Sequence, residues 1–230
     1  MDGKDGGGEG PYLGARLARR HFLRAASAGA AGLLVALPAS PAADQVHDLR
    51  GRVLINGRQA TYQSDVMPGD RIVTGSDGHF VFVMGKDAYM VRSRSEFVIE
   101  RKDEGIGFLR LVTGALGAVF GKGGRREIHA QNVTAGIRGT GIYTETRGDG
   151  TYFCTCWGEV DLASVDDPKD RQVVFSARHE PRLVATRATA GTRFAAAPFE
   201  THTDEEMDIL QKCVGRRSPI LVPGGDDPKA

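Results

Sequence analysis

What this chain has little of narrows it first. It holds three cysteines and one tryptophan among 230 residues. So few cysteines exclude a disulfide-dense scaffold, and the odd count leaves a free thiol beside any single disulfide. Charge of one sign is also missing, since 30 Lys and Arg face 29 Asp and Glu. Residues 1–43 carry five basic and three acidic side chains, which leaves 25 basic against 26 acidic in the remainder. A near-neutral body lacks the basic footprint of a nucleic-acid binder, so no nucleic-acid partner is expected. Between Val46 and Phe120 no stretch keeps a helical apolar period, which excludes a helical bundle. Gly-x-Ser-x-Gly, a readable Ser-His-Asp set and Cys-x-x-Cys-His are all absent, which removes serine-hydrolase and c-type haem chemistry. The run Gly121-Lys122-Gly123-Gly124-Arg125-Arg126 lacks the spacing and the Lys-Ser/Thr ending of a phosphate-binding loop, and reads as a mobile hairpin loop.

What is present points to β-structure. Glycine is abundant, at 31 residues, and falls at turns rather than at a fixed period. From Val46 on, short runs rich in Val, Ile, Phe, Tyr and Thr alternate with turn signals: Arg52–Ile55 before Asn56-Gly57, Ala60–Tyr62 after it, and Arg71–Thr74 after Pro68-Gly69-Asp70. His79–Met84, Tyr89–Arg92, Ser95–Glu100, Phe108–Val112 and Gly117–Phe120 continue the series. Strands and turns recurring at this spacing indicate an all-β architecture. Only near the C-terminus does the pattern change. Thr203 followed by Glu206 forms a capping box, and Met207, Leu210, Gln211 and Val214 complete a short helix closed by Gly215.

The N-terminus reads as an export signal. Residues 1–17 are glycine-rich, Arg19-Arg20-His21-Phe22-Leu23-Arg24 forms a basic region of twin-arginine type, and Ala25–Ala43 carries no charge. Ser40-Pro41-Ala42 fits a cleavage site, which would start the mature chain at Ala43. The alternative is an uncleaved inner-membrane anchor formed by residues 25–43, the one case in which a membrane partner is expected. A twin-arginine leader carries folded protein, so a cofactor would be loaded before export. The expected divisions are a leader and signal segment (1–43), a β domain (44–165), and an extension with one strand and a short helix (166–230).

The chain is organised around Val133–Ala163. Asp149-Gly150 between two runs of β-formers signals a hairpin. On its second strand Cys154 and Cys156 share a face, because strand side chains alternate. With His179, His202 and Cys213 they form the soft ligands of the C-terminal third. Thiolate with imidazole suits one transition metal ion, zinc, copper or iron. The metal set proposed from sequence is Cys154, Cys156, His179 and His202, with His179 placed ahead of His202. Asp204 and Glu205 are read as capping acids. The competing readings are a disulfide between Cys154 and Cys156 or from one of them to Cys213, and simple packing beside Trp157. A metal- or thiol-dependent redox enzyme and a disulfide-stapled structural module are the corresponding functional alternatives. Arg138, flanked by Gly136 and Gly139, is expected to bind a carboxylate, in an internal salt bridge ahead of one from a partner.

Residues from about Leu49 to Ala163 resemble the periplasmic domain of the ferric-citrate regulator (FecR-type) family. The resemblance rests on Gly51-x-Val53-x-Ile55-Asn56-Gly57, Gly69-Asp70-x-Ile72-x-Thr74-Gly75 and Leu109-x-Leu111-x-x-Gly114-Ala115-Leu116. It extends through Val133-x-Ala135-Gly136-Ile137-Arg138-Gly139-Thr140 and Trp157-Gly158-Glu159-Val160-Asp161-Leu162. It implies an exported, all-β, short-strand domain, solenoid- or sandwich-like, here with a short C-terminal helix. It also implies a non-enzymatic binding or sensory role in the periplasm with an envelope protein partner. In family members the domain relays transporter occupancy to a sigma factor. The form expected here is a stand-alone exported one without an anti-sigma domain.

Overall fold

The computed structural model describes residues 45–103 and 105–221. The leader and signal-type segment therefore lie outside the described residues. No helix among those described is long and apolar enough to cross a membrane.

The elements follow the turn signals. They are β1 (Gln45–Arg50), β2 (Val53–Ile55), β3 (Arg58–Gln59), β4 (Arg71–Thr74), β5 (His79–Met84), β6 (Asp87–Val91), β7 (Glu96–Lys102) and β8 (Gly105–Thr113). Then come β9 (Ala115–Val119), β10 (Arg125–Ala130), β11 (Val133–Arg147), β12 (Gly150–Ser164), β13 (Arg171–Ser176), β14 (Glu180–Thr189), β15 (Thr192–Ala196) and α1 (Asp204–Cys213). The all-β fold with one short C-terminal helix is thus present. In place of a solenoid or sandwich stack, the strands join in one curled, open sheet, a half-barrel. Its path runs β1-β5-β6-β9-β11-β10-β8-β7-β4-β2-β3, with β12 on the other edge of β11 carrying β13 and β14, and β15 beyond β14. Three strands, not one, therefore follow residue 166, and residues 60–62 form no strand.

The sheet has a core on each face. Inside the curl lie Phe80, Phe82, Tyr89, Phe97 and Phe120 with the aliphatic residues of β7, β8 and β10–β12. Phe82 stacks on Phe80 and on Tyr89, with centroids 5.1 and 5.0 Å apart. Outside the curl, Val81, Val83, Ala88, Met90, Ala115 and Val119 meet Met207 and Leu210 of α1. This explains the unbroken apolar runs of β5 and β6. Both faces of these strands are buried, so alternation with polar residues disappears. The helix begins at the expected capping box, with Thr203 as N-cap and Glu206 reciprocating. Arg92 at the end of β6 holds both Glu206 carboxylate oxygens at 2.7 Å, tying the helix start to the sheet.

The β11–β12 ribbon is longer than the sequence signals and does not keep one register. Arg138 pairs with Glu159 and Gly141 with Trp157, so Gly139 and Thr140 together oppose Gly158. Gly141 and Ile142 then pair with Trp157 and Thr155, which leaves Cys156 as an extra residue on β12. Gly139 and Gly158 meet the left-handed backbone that these irregularities impose, with φ of +59° and +89°. The shift exchanges faces. Ile137, Val160 and Leu162 point into the curl on one side of it, and Ile142 and Phe153 on the other. Without it, Cys154 and Cys156 would share the inner face with Val160 and Leu162. With it, Tyr152, Cys154, Cys156 and Trp157 all join the outer core beneath the C-terminal segment.

Trp157 reaches back across its partner strand. A Cβ added to Gly141 would lie 2.3 Å from the indole ring. Gly141→Ala is therefore expected to destabilise the fold by about 1–3 kcal/mol through overpacking. Denaturant unfolding followed by Trp157 fluorescence measures this, and an unchanged midpoint would contradict the packing described.

Candidate metal centre

Three chain segments meet over the face exchange. Along its outer edge β12 pairs with β14 from Gly150 to Thr155 and with β13 from Gly158 to Ala163. Cys156 and Trp157 fall in the gap between these partners, where the chain crosses from β13 to β14 through Ala177-Arg178-His179. His179 takes a left-handed conformation, φ +49°, and its N–H donates to the Cys156 carbonyl at 2.9 Å. That bond seats the His179 ring above the two thiols. His202 arrives from the segment between β15 and α1, one residue before the N-cap.

Cys154, Cys156, His179 and His202 each turn one ligand atom to a common centre, and the four atoms lie within 4.8 Å of one another. The Cys154 Sγ to His179 Nδ1 distance is 3.6 Å, and Cys156 Sγ to His202 Nε2 is 3.4 Å. Zinc bonds of about 2.3 Å to sulfur and about 2.0–2.1 Å to nitrogen place tetrahedral S···N edges near ~3.6 Å. Both contacts match that edge. The four residues are a group that can hold a metal ion.

The second nitrogen of each ring is occupied in the way a metal ligand needs. His179 Nε2 faces Asp204 Oδ1 at 2.6 Å, and His202 Nδ1 faces the Glu200 carbonyl at 3.1 Å. Donation of N–H to these acceptors leaves His179 Nδ1 and His202 Nε2 with lone pairs toward the thiols. Asp204 is held in turn by Arg178. Aromatic walls fix the ring planes. His202 stacks on Tyr143 at 4.4 Å and His179 on Phe199 at 4.0 Å.

The site is dry. Cys154 and Cys156 have no exposed surface, and His202 is 4% exposed. The hydrogen bond from Cys156 holds the Cys154 thiol down to about 4 against burial, with His179 and His202 adding to the effect. Cys156 is pushed well above its ordinary range, by burial first and then by Cys154. Burial pulls His179 down, but the hydrogen bonds to Cys154 and Asp204 outweigh it and leave the ring above its ordinary value. The thiolate form of Cys154, the form that binds a metal, is thus favoured beside the two rings.

All four residues proposed from sequence converge here, with His202 as central as His179. Cys213 does not join them. It sits half-buried in the last turn of α1, and all three cysteines are free thiols, so neither disulfide reading is realised. Asp204, read as a capping acid, does lie in the first turn of α1 and is also the acceptor that orients His179. Its place in the helix start was visible in sequence, but its partner was not. Arg138 is exposed and enters no ion pair among the described residues, contrary to the internal salt bridge expected. His79 and His129 are structural, pairing with Asp48 and Glu127. In comparisons with known proteins, no family model matches the chain and no curated protein sequence matches it significantly.

Loss of the acceptor behind His179 should loosen the centre without removing a ligand. Asp204→Asn is expected to weaken metal affinity about 10- to 100-fold. Competition against a chromophoric chelator measures it, and unchanged affinity would mean that Asp204 serves only the helix start.

Proposed function

We propose that this chain is an exported, non-enzymatic β module of FecR type, built to bind or sense an envelope partner in the periplasm. One transition metal ion in the Cys154, Cys156, His179, His202 set would fasten its C-terminal segment to the sheet. The observation that carries the metal is the convergence of two thiols and two oriented imidazoles in a buried site. Burying such groups is costly unless a shared partner compensates them. Zinc suits two sulfurs and two nitrogens at tetrahedral spacing best. Four protein ligands close the coordination sphere, which favours a structural centre over a catalytic one with an open position. Reactive thiols of redox enzymes are accessible, and these two are not. Export rests on the twin-arginine-type leader, and the partner class on the family resemblance. Such a leader would deliver the module folded, with its metal in place.

Elemental analysis of the purified chain beside a Cys154→Ser/Cys156→Ser variant tests the reading. About one metal ion per chain, lost in the variant, is the expected result. A metal-free chain with freely titrating thiols after unfolding would contradict it. Fractionation of expressing cells tests export separately, with the periplasmic fraction expected to hold the protein.

A further inference from the structure

The loop between β9 and β10 is not a hairpin. Both strands pair with the same edge of β11, β9 along Gly141–Glu145 and β10 along Val133–Arg138. Residues 120–124 bridge the interruption, beside the Gly139-Thr140 irregularity. The bridge is anchored by hydrogen bonds. Buried Asp87 accepts from the Gly121 N–H at 2.9 Å and from Arg126 Nε at 2.7 Å, and the Phe120 N–H donates to the Thr140 carbonyl at 2.9 Å.

A cavity of about 380 Å³ opens there, lined by Lys122, Gly123, Gly124, Arg125, Arg138 and Gly139. Its three charged residues are all cationic and exposed. None of them enters an ion pair among the described residues. Arg125 and Arg138 are directly opposite in the β10–β11 register, an arrangement in which like charges repel. Glu159 faces Arg138 across the other edge of β11, yet forms no ion pair with it. Two glycines make room for the cations. A Cβ at Gly136 would lie 3.3 Å from the Arg125 guanidinium, and one at Gly139 would lie 3.1 Å from the Lys122 side chain.

We propose that this cleft binds a small phosphate-bearing anion, free or as a lipid headgroup. Three unpaired cations on an anchored frame match the charge and multiple acceptor oxygens of a phosphate group better than those of a single carboxylate. The two guanidiniums supply planar forks for its oxygens, and Lys122 supplies a mobile point charge. A bound dianion also relieves the Arg125–Arg138 repulsion. The cleft and the metal centre use different residues, so the inference stands independently of metal binding.

Calorimetric titration of the full chain with inorganic pyrophosphate, with ionic strength held constant by sodium chloride, tests it. Sedimentation with phosphatidylcholine vesicles, with and without phosphatidic acid, runs beside it. Saturable binding of pyrophosphate that weakens about tenfold or more in Arg125→Gln and in Arg138→Gln is the expected result. Both residues are exposed, and circular dichroism checks that the variants remain folded. Binding to phosphatidic acid vesicles alone, lost in the same variants, assigns the phosphate to a lipid headgroup. No binding in either arm, or binding unchanged in both variants, overturns the proposal.

Discussion

The face exchange in the β11–β12 ribbon is the constraint on which the rest of this structure depends. A strand has a strict period of two, so one extra residue on each partner moves every later side chain to the opposite face. Here it lets one long ribbon serve two cores. On one side of the shift β12 sends Val160 and Leu162 into the curl. On the other side it sends Phe153 inward and turns Tyr152, Cys154 and Cys156 toward α1. The glycines at 139, 141 and 158 permit this, two through their backbone conformation and Gly141 by leaving room for the Trp157 ring.

Interrupted pairing on both edges of the ribbon follows from the same place. On the β12 edge the partner changes from β13 to β14, and the crossing chain brings His179 onto the thiols. On the β11 edge the partner changes from β10 to β9, and the bridging loop brings Lys122 and Arg125 beside Arg138. An unbroken ladder would leave no room for either cluster. The two sites differ in character because one is roofed by the C-terminal segment and the other is open. A low dielectric strengthens the thiol–imidazole interactions and raises the cost of leaving them without a shared partner. Solvent around the basic cleft makes its three charges easier to hold unpaired.

Much of this was legible in sequence because it is local. The Asp149-Gly150 turn, the strands of residues 79–84 and 96–100, and the capping box at Thr203 depend on neighbours a few residues away. Cys154 and Cys156 could be placed on one face because the period of two holds between them. The extra residue at Cys156 could not be read, since it is defined by pairing with Gly141 and Ile142 and by a ring lying over a glycine. β14 and β15 escaped for a different reason. Pro181, Arg182 and the exposed run near Thr189 suppress alternation where a strand is buried only at scattered positions. His202 could be placed in the metal set only behind His179, because its union with Cys156, 46 residues away, is purely tertiary. Arg138 was expected to pair with a carboxylate, and among the described residues no acid forms an ion pair with it.

The central claim is that two sulfurs and two nitrogens from this ribbon and its flanking segments surround one metal ion. X-ray absorption at the metal edge of the zinc-loaded chain tests it most directly. The account predicts a first shell of two sulfur scatterers at about 2.3 Å and two nitrogen scatterers at about 2.0–2.1 Å. A shell of oxygen and nitrogen only, without sulfur, would place the metal elsewhere and contradict the account.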